Sequence, residues 1–249
     1  MDLKNTVCLI TGGTKGIGAS TAVLLAERGA DVAVVGRSQG VASAEVQAKV
    51  ERLGRKFLGI VADISKPEEA RRSVRETIAH FGTIDVLVHS AGGPVPGTFM
   101  ELTAERWHSA FDTHVHPIFH LCQEAIPVMK AKKQGVIIFI SSSAGIRGVP
   151  GAVAYQAVKG LLPQLTRAMA RETAADNVRI NCVAPGVIRT AFHDQMPPEV
   201  KKNNLENRIP LKREGTPEQV AELILQMITN DYITGETFSI DGGLTMRIA

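Results

Sequence analysis

Seven short runs dominated by valine, isoleucine and leucine recur along this chain, separated by longer stretches with helical periodicity. The runs lie at 7–10, 32–35, 58–62, 86–89, 136–140, 179–183 and 237–240. Several have no polar side, as expected of parallel strands covered on both faces. The helical stretches fall near 17–28, 40–53, 67–81, 103–132, 152–175 and 217–229. Thr103, Thr216-Pro217-Glu218 and Lys66-Pro67-Glu68-Glu69 read as helix starts, with a capping residue followed by proline or an acid in the first turn. This alternation predicts an α/β chain: a doubly wound, parallel, seven-stranded sheet with helices on both faces. At 249 residues, one core suffices, so 1–249 is expected to form a single domain. The least regular stretch is 186–214, rich in Asn, Pro and basic residues. It is too long for an ordinary connection and is expected to act as a substrate-binding lid.

The net charge of +3, with no lysine/arginine run longer than two residues, gives no electrostatic footprint for nucleic acid. No apolar run is long enough to span a bilayer, and the first residues do not resemble a signal peptide. Cys8, Cys122 and Cys182 are scattered, without metal-ligand spacing, and read as small buried hydrophobes in a reducing, cytoplasmic setting.

The chemistry is concentrated in a few positions. Tyr155 and Lys159 are four residues apart in a helical stretch and therefore share a face. A phenol titrates near pH 10 and is a poor base at neutral pH, but an adjacent ammonium stabilises the phenolate. The pair can then exchange a proton with an alcohol or a carbonyl. Ser142 lies thirteen residues upstream of the tyrosine. After the first strand comes a glycine-rich turn, with Gly12, Thr14, Lys15, Gly16, Ile17 and Gly18 opening the first helix. Such a turn brings backbone amides to a pyrophosphate at the positive end of the helix. The second strand ends in Gly36-Arg37-Ser38, without the acid that would bond the ribose of NAD. Arg37, Ser38 and Lys15 suit a 2′-phosphate instead, so NADP(H) is favoured over NAD(H).

These motifs together resemble the short-chain dehydrogenase/reductase family, over essentially the whole chain. The resemblance implies a Rossmann-like fold and a homotetramer built through the helices near 103–132 and 152–175. It makes Ser142, Tyr155 and Lys159 catalytic and places Asp63-Ile64 beside the adenine. Ser90-Ala91-Gly92 becomes a variant of Asn-Ala-Gly, with the serine altering packing near the adenine ribose. Asn181, Pro185, Gly186, Ile188 and Thr190 fall on the nicotinamide side. The implied activity is hydride transfer between NADP(H) and a carbonyl/secondary alcohol pair. The substrate stays open among a 3-oxoacyl thioester, a sugar or polyol and a small hydrophobic ketone. An NADP-binding regulator or pseudoenzyme on the same fold is the alternative.

The main departure is His114, which occupies the position of the family's catalytic asparagine, with Pro117 three residues later. Proline removes an amide and crowds the carbonyl four residues back, so a kink is expected there. Such a kink leaves a free carbonyl for the family's water site, and His114 itself is a candidate proton carrier or simply a packed side chain. His116 and His120 share a helical face, but no carboxylate or cysteine completes a metal set, so no metal is expected. Candidate substrate walls are 93–97, 144–149 and 186–188; Arg147 and His193 point either to the cleft or to solvent. The last residues, 244–249, either pack on a neighbouring subunit or fray.

Overall fold

A computed structural model describes residues 1–38, 40–192 and 196–246. The strands are β1 Val7–Thr11, β2 Asp31–Gly36, β3 Phe57–Val61, β4 Val86–His89, β5 Gly135–Ile140, β6 Val178–Pro185 and β7 Thr237–Ile240. They form one seven-stranded sheet in the order β3-β2-β1-β4-β5-β6-β7, and every pairing is parallel. The order reverses between β1 and β4, which opens a crevice at the carboxyl ends of these strands. His193 and residues 247–249 lie outside the described residues.

Helices α1 Gly16–Glu27, α2 Val41–Arg52 and α8 Pro217–Thr229 cover one face. Helices α3 Pro67–Phe81, α5 His116–Ala131 and α6 Val153–Thr173 cover the other. Successive strand residues divide between them: Cys8 and Ile10 join Ala22, Leu25 and Ile224, whereas Leu9 joins Val74, Leu121 and Leu162. That is the period-two pleat of a strand buried on both sides. Each fully buried leucine or isoleucine contributes roughly 1.5–3 kcal/mol to this arrangement.

The expected helix at 103–132 is two helices: α4 is Ala104–His114, and α5 begins at His116. Val115 between them has φ −118° and ψ −56°. Pro117 explains the break, because it cannot donate to the Thr113 carbonyl and its ring crowds that group. The next amide, of Ile118, bonds to Val115 O (3.0 Å) instead of reaching back to His114. The irregular stretch after β6 holds α7, Pro198–Asn203, followed by a wide turn at Asn204–Arg208. No described helix is long and apolar enough to cross a membrane. The three cysteines are free and buried.

Candidate active site

The glycine turn is shaped by close backbone approach. Gly12 has φ +66°, and a Cβ there would lie 2.8 Å from the Cα of Ala91. A Cβ on Gly18 would lie 2.4 Å from the carbonyl oxygen of Gly12. Gly16, at φ +55°, faces the Thr190 methyl, which would stand 3.3 Å from an added Cβ. The turn and the start of the 186–214 stretch thus meet across the crevice. The α1 cap residue, Lys15, provides no side-chain cap, and the first turn has no acid. The first amides of α1 are therefore suited to an anion such as a pyrophosphate.

Thr14 packs beneath Gly36, while Lys15, Arg37 and Ser38 are exposed around that end of the crevice. Asp63 accepts two bonds at one oxygen, from the Ser65 hydroxyl (2.7 Å) and the Ser65 amide (3.2 Å). The Ser65 hydroxyl is the main cause holding its carboxyl below the usual range, with Arg37 adding a smaller pull. Ile64 is buried beside it. Ala91 donates its amide to the Thr11 hydroxyl (3.2 Å). Gly186 has no room for a side chain, since a Cβ would lie 2.7 Å from the Asp241 Cα. Ile188 is buried and bridges to Gly215.

Tyr155 and Lys159 lie on α6, and Ser142 caps the short turn after β5. The Ser142 hydroxyl accepts the Ala144 amide (3.1 Å) and is the polar neighbour that acts on the Tyr155 phenol. Lys159 Nζ lies 5.8 Å from the centroid of the Tyr155 ring and donates to Ile140 O at 2.7 Å. Burial pushes the ammonium down to about 8. Burial also raises the Tyr155 phenol, with Ser142 pulling the other way. This reverses the direction expected from the Tyr–Lys spacing, because desolvation of the phenolate outweighs its neighbours. The sequence cannot show that burial.

His114 stands edge-on to Tyr155, with ring centroids 5.7 Å apart. Its Nε2 lies 3.0 Å from Gly93 O, its Nδ1 is buried without a partner, and the ring is 1% exposed. Gly92 makes room for it, since a Cβ there would lie 2.5 Å from the ring. Burial, then the charge of Lys159, pushes its pKa down to about 3. An imidazolium is therefore disfavoured at this position. His116 instead pairs with Asp112 (2.8 Å), and no cluster among the described residues could hold a metal.

Two side chains escaped the sequence reading. The Phe192 ring lies 6.0 Å from that of Tyr155. His89, at the end of β4, is 2% exposed and accepts or donates at Nδ1 to the Thr11 hydroxyl (2.9 Å). A histidine closing an otherwise apolar strand was the available signal. Arg147 is exposed and donates from Nε to Thr245 O (3.1 Å), joining the loop after Ser142 to the C-terminal turn. A groove of about 570 Å³ runs between α1, α2 and α8 and reaches the glycine turn at Thr14, Lys15 and Gly16; Tyr155 is not part of it.

A family model described as enoyl-(acyl carrier protein) reductase matches residues 12–245. The chain belongs to the short-chain dehydrogenase/reductase family and is an oxidoreductase of that family. It is 35% identical over 244 residues to a 3-oxoacyl-[acyl-carrier-protein] reductase of Chlamydia muridarum, covering 97% of this chain and 98% of that protein. A putative short-chain alcohol dehydrogenase from Sinorhizobium meliloti superposes with a TM-score of 0.93 at 33% identity, over 99% of each chain. A 7α-hydroxysteroid dehydrogenase complexed with NADH and a 7-oxo bile acid superposes with a TM-score of 0.92 at 28% identity, over 99% of this chain and 97% of that one.

Proposed function

We propose that this protein reversibly reduces a ketone to a secondary alcohol at the expense of NADPH. The observation that carries the reading is the grouping of Ser142 and Lys159 around Tyr155, with the Lys159 ammonium 5.8 Å from the centre of its ring and Ser142 acting on its hydroxyl. The nicotinamide supplies the hydride when bound. Tyr155 donates the proton to the carbonyl oxygen as it becomes an alkoxide. Its raised pKa keeps it protonated at neutral pH, as a proton donor must be. Ser142 donates a hydrogen bond to the same oxygen, which suits a C=O substrate better than a C=C bond. The Lys159 ammonium stabilises the phenolate left behind. His114 stays neutral and supports the ring of Tyr155 from the side.

The residues holding the dinucleotide are those around the glycine turn, with Asp63, Ser90–Gly92 and Pro185–Thr190 along the crevice. Arg37, Lys15 and Ser38 favour the 2′-phosphate of NADP. Phe192 beside the phenol, with Arg147 engaged by Thr245, favours a small apolar ketone over a sugar or an anionic thioester. The stretch 186–214 acts as the lid over that ketone. A homotetramer through α5 and α6 is consistent with Phe119, which is 58% exposed on α5. The buried free thiols suit a reducing cytoplasm.

The test is NADPH consumption with simple ketones, 3-oxoacyl thioesters and ketoses, with NADH in parallel. Tyr155→Phe should lower turnover on the active substrate by about a thousandfold or more while leaving NADPH binding intact. Turnover near wild type in that variant would refute the mechanism. Tight NADPH binding with silence on the whole panel would favour the alternative, a cofactor-binding regulator.

A further inference from the structure

His89 is tied on one side by a short chain of hydrogen bonds. The Ala91 amide donates to Thr11 Oγ1 (3.2 Å), and Thr11 Oγ1 lies 2.9 Å from His89 Nδ1. With the Thr11 hydroxyl donating to Nδ1, the imidazole proton sits on Nε2. That nitrogen is buried and has no hydrogen-bond partner of ordinary geometry, and the imidazole lies beside the main chain of His114. At His114 the helix has just been broken. Pro117 has no amide, and the Ile118 amide has turned to Val115 O. The His114 carbonyl has thus lost its helical donor where His89 presents one. A buried donor and a released acceptor are each costly alone, and pairing them would satisfy both.

We propose that His89 is a positioning residue of the active site: its Nε2–H holds the His114 carbonyl freed by the Pro117 break, and so fixes the His114 ring against Tyr155. His89 reaches no reacting atom. It links Thr11, on the cofactor side of the crevice, to the helix that supports the catalytic phenol. The kinetic part of the test rests on the reductase reading above; the spectroscopic part does not.

Two substitutions separate the two ends of the ring. In His89→Asn the amide replaces the Nδ1 end and keeps the Thr11 contact; in His89→Gln it reaches the Nε2 position and keeps the donor toward His114. His89→Asn should lower kcat about tenfold, with KM and NADPH affinity unchanged. His89→Gln should recover most of that loss. Pro117→Ala, which lets the helix reclaim the carbonyl, should lower kcat similarly, and the double variant with His89→Asn should show no further loss. Nitrogen-15 imidazole spectra of the NADPH-bound protein, without substrate, should show His89 neutral with its proton on Nε2. The His114 ring signals should move in His89→Asn and return in His89→Gln. A proton on Nδ1 of His89, or loss in His89→Gln with His89→Asn intact, would overturn the proposal. Equal loss in both variants would overturn it as well. Thermal unfolding and NADPH binding show which variants are folded. If the wild type were inert on every substrate, the reductase reading would fail while the spectra still decided this one.

Discussion

Around the glycine turn, contacts are made by main chain against main chain: an added Cβ at Gly12 would strike Ala91, and one at Gly18 would strike Gly12. Around Tyr155 the contacts are made by side chains, and several polar atoms there are buried with little to pair with. His114 Nδ1 has no partner, and Lys159 is 6% exposed with a main-chain carbonyl as acceptor. The first region is limited by steric exclusion, the second by the cost of charge. Neighbouring parts of one crevice should therefore fail in different ways when perturbed.

The largest effect is expected from Gly18→Ala. The new methyl would press on a backbone oxygen that cannot move aside without opening the turn. NADPH affinity should fall by about a hundredfold or more, measured by calorimetry or fluorescence. Retained affinity would mean the turn can relax and that the steric account is wrong.

Next is acid stability. His89 and His114 are each held near a pKa of about 3 by burial and the charge of Lys159, whereas an unfolded histidine titrates near 6.5. Below pH 6.5 the unfolded chain therefore binds protons that the folded chain refuses, and stability is lost as pH falls from 6.5 toward 3. Each imidazole should cost about 2 kcal/mol by pH 5. Denaturant titrations from pH 7 to 5 should show this slope in the wild type and a shallower one in His114→Asn. Gly18→Ala should leave the slope unchanged, which sharpens the contrast between the regions.

The smallest effect concerns cofactor choice. Arg37 is exposed, so its contribution is screened by solvent. Arg37→Asp should shift the ratio of kcat/KM toward NADH by about tenfold. No change would remove Arg37 from the phosphate site.

The sheet was legible because each strand carries its own local signal, and all seven runs fall on strands within a few residues. The break near Val115 was legible in part, since Pro117 announces a kink but not that a new helix starts at His116. Tyr155, Lys159 and the glycine turn share a local spacing, which is why they could be read. His89 could not be assigned a role in that way. Its meaning comes from the β1–β4 pairing, which sets Thr11 opposite it across a gap in sequence. Arg147 depends on Thr245, nearly a hundred residues away. The direction of the Tyr155 shift depends on burial, which no spacing records.

The packing of α1 along α8 bears on how the chain acquires its shape. Ala22 and Leu25 close their layer against Val220, Ile224 and Ile228, residues made almost two hundred positions later. During synthesis, the first helix emerges long before its apolar cover exists. The α3–α5–α6 side of the sheet can assemble earlier, from segments nearer one another in sequence. Such non-local closure slows folding and leaves sticky intermediates. A nascent chain stalled before residue 217 should accordingly hold chaperones, and should release them once α8 has left the ribosome.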